Sequence, residues 1–286
     1  MALHTKRGDR RAVAHELSGL AALAKAAHDG GAPVARVASG GAGALSTYVL
    51  RPAPPTPGAA REFGARLAHT HAYAEGARVF GQAPDGFDGE VGAMGMAPLP
   101  LVAAGSPARR FGEFYAADRL LPYVDAALAN GSFTSQDAAV IEKLAGRLCD
   151  GVFDSPQPEL VRTDAALLHG DLWSGNLLWS RPDSPMEGGV DPAAPADSAP
   201  GGAGVVGVLI DPACQGGHAE SDLAQLTVFG APFAEEIYAG YDEASPLAPG
   251  WRERIGLHRL HMLIVHAALF GGGYGRETVA TARPYL

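Results

Sequence analysis

From Asp9 to His28 the apolar positions Val13, Leu17, Leu20 and Leu23 recur at helical spacing, with Glu16 on the same helix, until Gly30-Gly31 stops the pattern. The period then changes. Pro33 to Ala38 and Leu45 to Leu50 predict two strands around the turn Ser39-Gly40-Gly41-Ala42-Gly43. With the short start MALHTK, read as a strand ending on Lys6, the first fifty residues predict a small unit of strand, helix, strand, strand. The proline-rich piece from Pro52 to Gly58 predicts a semi-extended linker. A boundary placed there divides the chain into a small lobe over 1–52 and a larger one over 53–286.

Beyond the linker the pattern is mainly helical. Phe63, Leu67 and His71 mark one helix face, and Phe111, Phe114, Tyr115 and Leu121 another. Thr134 and Asp137 predict a capping arrangement ahead of a helix with core face Val140, Ile141, Leu144 and Leu148. Further helices are expected over 219–229, 232–244 and 250–271, the last closed by Gly271-Gly272-Gly273, with a short one near Glu277. Two stretches break this rhythm. Leu167-Leu168 and Leu177-Leu178-Trp179 flank a polar loop, predicting a β-hairpin, and Val205 to Ile210 predicts a third strand ending on Asp211. Between them, 181–204 is rich in Pro, Gly, Asp and Ala; that composition cannot bury a core and predicts a disordered surface insertion.

Composition narrows the function. The 286 residues are 47% apolar, enough for a sizeable core in one large or two smaller domains. Acidic residues outnumber basic ones, 31 to 22, for a formal charge of −9 without any Lys/Arg cluster. Nucleic acid and anionic membrane surfaces are therefore not expected partners. Two cysteines, Cys149 and Cys214, argue against a disulfide framework or a zinc cluster and suit a reducing cytoplasm. The sequence has neither a signal-peptide pattern nor an apolar run long enough to span a bilayer.

The chemistry concentrates in Leu167–Trp179, LLHGDLWSGNLLW. Asp171 and Asn176 stand five residues apart, the Asp-to-Asn spacing of the kinase catalytic loop. Phosphoryl transfer from a nucleotide needs one carboxylate for the substrate hydroxyl, and an amide oxygen and a second carboxylate to hold Mg²⁺; Asp211 can supply the last. Asp, Ser, Gly and Asn are also ordinary turn residues, so the loop alone is weak evidence. Lys6, ten residues before Glu16, adds a possible phosphate-contacting lysine with a helical glutamate partner, although lone Lys and Glu are usually solvated. Gly40, Gly41 and Gly43 suit a hairpin turn better than a phosphate cradle. Asp222 suits a structural carboxylate bracing the loop; His218 and Glu220 are candidate substrate contacts; Cys214 reads as a buried, inert thiol. His258, His261 and His266 have helical spacing but no companion Cys or carboxylate cluster, so a partly buried helix face is expected.

These residues resemble the fructosamine kinase (ketosamine-3-kinase) family. HGDLWSGN looks like its catalytic loop in full, and its tryptophan, Trp173, separates the family from aminoglycoside and choline kinases. IDPACQGGHAESDLAQLTVFG resembles the metal-binding segment, GEFYAADRLLPYV the family's EFY segment, and the stretch from Tyr241 to Gly275 its C-terminal helices. The resemblance implies an α+β, two-lobed protein-kinase-like fold. It implies Asp171 as catalytic base, Asn176 and Asp211 as Mg²⁺ ligands, Lys6 with Glu16 on the ATP phosphates, and Trp173 at the substrate. The implied reaction is ATP-dependent phosphorylation of the O3 hydroxyl of fructosamine or ribulosamine adducts, in protein deglycation. A kinase for another hydroxylated amine such as an aminoglycoside, or a non-catalytic kinase-like binding protein, are the alternatives. Three departures stand out. The family places two strands and a nucleotide-covering loop before the lysine strand, so the small lobe is expected to lack its first hairpin; Ala219 replaces an arginine; and Arg51 replaces a hinge-proximal glutamate.

Overall fold

The structure is a computed structural model and describes residues 2–74, 78–181, 186–187 and 204–286. The expected insertion over 181–204 therefore lies almost wholly outside the described residues.

The chain starts with β1 (Leu3–Arg7) and α1 (Arg10–His28); the Asp9 side chain caps α1 by accepting the amides of Arg11 and Ala12. The strands β3 (Val37–Gly41) and β4 (Ala44–Tyr48) complete a three-stranded antiparallel sheet in the order β1-β4-β3, with Lys6 opposite Leu45. The turn between them is Ala42-Gly43, with φ of 53° and 83°. Positive φ at both positions gives the primed turn whose twist suits a tight hairpin.

The stretch Pro33–Ala38, expected as one strand, is two strands in two sheets. The strand β2 (Val34–Ala35) pairs in parallel with β10 (Val206–Leu209), in a four-stranded sheet of order β8-β10-β2-β9, where β8 is Leu177–Ser180 and β9 is Met186–Glu187. Val34 and Ala35 are buried in succession, which requires a strand covered on both faces. At Arg36, whose guanidinium lies over the Tyr48 ring, the chain crosses to the outer sheet. The linker is also shorter than expected. Helix α2 (Pro57–Ala72) begins inside it, with Pro57 in the first turn and Thr56 capping the Ala59 amide.

The LLHGDLWSGNLLW stretch is not a hairpin. Its first strand, β7 (Ala166–Leu168), pairs with β11 (Gln215–Gly217), whereas β8 pairs with β10. The loop thus joins two sheets and is fixed at both ends. A hairpin over β5 (Val91–Met94) and β6 (Ala97–Pro100), not anticipated from the sequence, packs beside α1.

The rest is helical: α3 (Phe111–Phe114), α4 (Val124–Ala129), α5 (Ser135–Cys149), α6 (Glu220–Gln225), α7 (Ala234–Ala244), α8 (Trp251–Phe270) and α9 (Tyr274–Ala282). Thr134 and Asp137 form the capping box of α5. After α3 the chain makes a π-helical turn over Tyr115–Leu120 and a 3₁₀ turn over Leu121–Tyr123. That irregularity resets the helical phase, so Leu120 is buried while Leu121, expected inward, is 40% exposed. Helices α2 and α7 touch backbone to backbone: a Cβ on Gly64 would stand 2.0 Å from the Ile237 carbonyl, and one on Gly240 1.9 Å from that of Arg61. One apolar cluster runs from Val13, Leu20 and Leu23 of α1, through Phe63 and Leu67 of α2 and Leu172 of the loop, to Ile237 and Tyr241 of α7. The helix carrying Glu16 and the loop carrying Asp171 are therefore packed on one core. No helix among the described residues is long and apolar enough to cross a membrane.

Candidate active site

The backbone of residues 169–172 is shaped from below by α6. Asp222, fully buried, accepts the His169 amide at 2.7 Å and the Gly170 amide at 2.9 Å, and His71 Nε2 stands 3.1 Å from the same carboxylate. Three residues on, Gln225 accepts the Leu172 amide at 2.6 Å and donates to the Gly170 carbonyl at 3.0 Å. Buried donors and acceptors left unpaired are costly, so two side chains on one face of a helix fix this turn. Gly170 has φ of 83°, and a Cβ there would lie 2.1 Å from the Ala213 carbonyl. Only glycine fits that approach.

His169 ties the loop to the end of β10. Its Nδ1 accepts the Asp171 amide at 3.2 Å and its Nε2 donates to the Ile210 carbonyl at 2.8 Å. Both bonds belong to one neutral tautomer, and burial lowers the imidazole pKa in keeping with it. The Ile210 amide in turn donates to the Asn176 carbonyl at 3.1 Å. With both ends held, the Asn176 amide nitrogen donates to the Asp171 carboxylate and to its carbonyl, each at 2.9 Å.

Asp211 follows β10 in a left-handed conformation, φ 52°, with its side chain 53% exposed. Lys6 Nζ lies 2.9 Å from the Asp211 carboxylate and 2.5 Å from that of Glu16. Burial works against the Lys6 charge, but Glu16 and Asp211 outweigh it and raise the ammonium pKa. Glu16 is raised by burial, with Lys6 opposing and Asp211 adding. Asp171 is pushed up to about 7, chiefly by burial, with Asn176 opposing and the charges of Asp211 and Asp222 adding. Glu16, Asp171 and Asp211 thus meet Lys6 and Arg7 at one cleft.

Lys6, Glu16, Asp171, Trp173, Asn176 and Asp211 line one cavity of about 360 Å³, which the β5–β6 hairpin closes with Ala93 and Gly95. A second, apolar cavity of about 350 Å³ shares Asp211 and is walled by Ala35, Leu50, Leu178, Trp179 and Ile210.

His218 and Glu220, expected as substrate contacts, lie elsewhere. Both are buried, and neither lines these cavities. His218 Nδ1 accepts the Glu220 amide at 3.3 Å and its Nε2 faces Ser155, while Arg254 grips the Glu220 carboxylate at 2.5 and 2.8 Å and His258 stands 3.2 Å away. Ligand atoms of His218, Glu220 and His258 come within 4.8 Å of one another. A cation is nevertheless disfavoured there: the guanidinium already supplies the counter-charge, and both His218 nitrogens are hydrogen-bonded. Cys214 is buried, and burial pushes its thiol up to about 12, so it is inert.

Three residues around the cleft have contacts that their sequence positions scarcely signal. Gln225 and His71 support the loop; the helical spacing of Gln225 from Asp222 was the only available signal. His15, on α1 beside Glu16, has Nε2 2.9 Å from the Cys214 carbonyl and Nδ1 3.3 Å from the Ala93 amide. It links α1 to the segment after Asp211 and to the cleft-closing hairpin.

The sequence model of the fructosamine kinase family matches residues 5–286. The chain belongs to the fructosamine kinase family. A crystal structure of a candidate fructosamine-3-kinase from Thermobifida fusca is 35% identical, with a TM-score of 0.75, covering 99% of this chain and 85% of that one. A candidate ketoamine kinase of Escherichia coli is 32% identical over 164 residues, 57% of this chain and 46% of that protein. The chloroplastic protein-ribulosamine 3-kinase of Arabidopsis thaliana is 31% identical over 132 residues, 46% of this chain and 33% of that protein. The chain thus matches less than half the length of these curated relatives. The fold is the protein-kinase-like α+β fold shared by fructosamine kinases, and membership of the family makes the chain a kinase-family protein related to ketoamine kinases.

Proposed function

We propose that the protein is an ATP- and Mg²⁺-dependent kinase that phosphorylates the O3 hydroxyl of ketosamines, the adducts of sugars on amines, and so acts in deglycation. The observation that carries the proposal is the convergence of Lys6, Asp171, Asn176 and Asp211 on one cleft, from three separate segments: β1, the loop between β7 and β8, and the stretch after β10. Carboxylate and amide oxygens are hard donors of the kind that suit Mg²⁺, so Asn176 and Asp211 would hold the ion, which offsets phosphate charge when bound. Lys6, oriented by Glu16, would meet the phosphates, and the neighbouring apolar cavity has the size and lining for a nucleotide base. Asp171 receives the proton of the substrate hydroxyl as the bond from that oxygen to the γ-phosphorus forms and the bond to ADP breaks. Its raised pKa favours this, since a general base works best near the operating pH. Positioning and charge neutralisation supply most of the catalysis, as phosphoryl transfer requires.

The test follows ³¹P and ¹³C resonances of the purified protein with Mg-ATP and fructoselysine or ribuloselysine. A phosphate ester on O3 is expected. Turnover of an aminoglycoside with none of either ketosamine would overturn the substrate assignment, and failure to bind Mg-ATP would overturn the kinase assignment.

A further inference from the structure

The acceptor side of the cleft continues into an aromatic surface. Trp173 lines the cleft two residues after Asp171, and its ring meets Phe229 edge to face at 5.5 Å between centroids. Phe229 then contacts His266 at 5.1 Å and Tyr274 at 6.4 Å, and His266 contacts Phe270 at 5.4 Å. Four parts of the chain contribute: the loop of Trp173, the segment after α6, the end of α8 and the start of α9. Two of the five rings are open to solvent, Phe229 at 40% and Phe270 at 57%. Such residues, placed contiguously, are unusual on a soluble surface unless something covers them.

We infer that this aromatic shelf binds the amine-side substituent of the ketosamine. The inference rests on the ketosamine reading above and adds what lies beyond the sugar. A hydroxyl held at Asp171 is joined through the short sugar chain to a secondary amine, so the group on that amine leaves the cleft within a few ångströms of Trp173. The amine is cationic at neutral pH. It suits the face of an indole. The substituent then runs over Phe229 towards Phe270. A butyl chain of lysine, or an aryl group, has apolar surface to bury there; an unsubstituted amine has none. The shelf therefore selects amines with extended apolar substituents, and its outer rim at Phe270 leaves room for a peptide carrying the modified lysine.

The test compares kcat/KM for three ketosamines of the same sugar: the unsubstituted 1-amino-1-deoxyketose, the Nε-lysine adduct and the N-benzyl adduct. Aromatic contacts of this kind contribute about 0.5–1.5 kcal/mol each, so Phe229→Ala should cut the benzyl-to-unsubstituted ratio about twofold to twelvefold. Phe229→Tyr should keep the ratio near wild type. Should Phe229→Ala fail to fold, Phe270→Ala, at the exposed end of α8, should still lower the ratio about twofold or more. A wild-type enzyme that turns over all three adducts with equal kcat/KM overturns the shelf and leaves the kinase reading standing. Equal ratios in folded wild type and Phe229→Ala do the same. Turnover of no ketosamine at all overturns both.

Discussion

Two clusters of acids and bases, one in the cleft and one at the start of α6, are built to opposite rules. In the cleft, Glu16 and Asp211 share Lys6, Asp211 stands half in solvent, and Asp171 is pushed up to about 7. At the start of α6, Glu220 is buried but gripped by Arg254 and faced by His258. Burial alone would raise Glu220, yet those partners outweigh it and hold it down to about 2, while burial holds His218 down to about 4. Burial of Asp171 is opposed by the neutral Asn176 amide, whereas that of Glu220 is opposed by a guanidinium and an imidazole. A buried carboxylate without a paired base suits a group that takes up a proton, whereas removing one partner of a paired set destabilises the fold.

The same acid-to-amide exchange should therefore have opposite consequences in the two places. Asp171→Asn should lower kcat by about 10²- to 10⁴-fold, the usual worth of a general base. It should not lower the Tm measured in EDTA, and should raise it slightly. The folded pKa of Asp171 lies above its ordinary 3.8, so at neutral pH the acid is a liability to the folded state that the amide relieves. Glu220→Gln should do the reverse. It strands Arg254 without its counter-charge, a loss of roughly 3–5 kcal/mol, or on the order of 10 °C in Tm for a chain of this size. Calorimetry on the two variants gives the answer; a falling Tm for Asp171→Asn, or none for Glu220→Gln, would break the contrast.

A smaller effect separates the clusters by pH. His218 has a folded pKa below its ordinary 6.5, so the unfolded chain binds a proton first as pH falls. Its contribution is present above about 6.5 and is lost on the way to about 4; that of Glu220 is lost between 4.5 and about 2. Tm should accordingly fall from pH 7 to pH 4, and His218→Gln should flatten that slope. An unchanged slope in the variant would assign the acid sensitivity to other groups.

Sequence alone could not distinguish these clusters, because spacing reports which residues share a loop but not what stands behind it. Asp171, Asn176 and Asp211 were legible because a five-residue loop interval and a strand-ending acid are local features. His218 and Glu220 sit in the same polar stretch as Asp211 and carry equally reactive groups. Arg254, His258 and Ser155, distant in sequence, show that they are occupied. The fold was legible to a similar depth. Helices α5, α7 and α8 and the cap at Thr134 followed from periodicity, which is again local. The split of Pro33–Ala38 between two sheets did not, since a pairing with β10 across about 170 residues decides it; nor did the separate sheet partners of β7 and β8. The π turn hid itself by disturbing the very period used to read helices.

His15 offers the finest test, because it resembles the second cluster while serving the first. It is buried and hydrogen-bonded at both nitrogens, as a structural histidine is, and burial lowers its pKa as it does that of His218. Its two partners, though, are the segment three residues past Asp211 and the hairpin that closes the cleft. His15→Leu keeps the volume but leaves the Ala93 amide and Cys214 carbonyl unpaired, costing about 1–3 kcal/mol of stability. If His15 only fills the core, that loss is all that appears. If it positions α1 against the Asp211 segment, KM for ATP rises about threefold to tenfold while kcat changes less, since Glu16 and Lys6 shift relative to the phosphates. His15→Gln, which can restore the bond to the Cys214 carbonyl, should recover part of the KM. A drop in Tm with an unmoved KM in both variants would return His15 to the structural class.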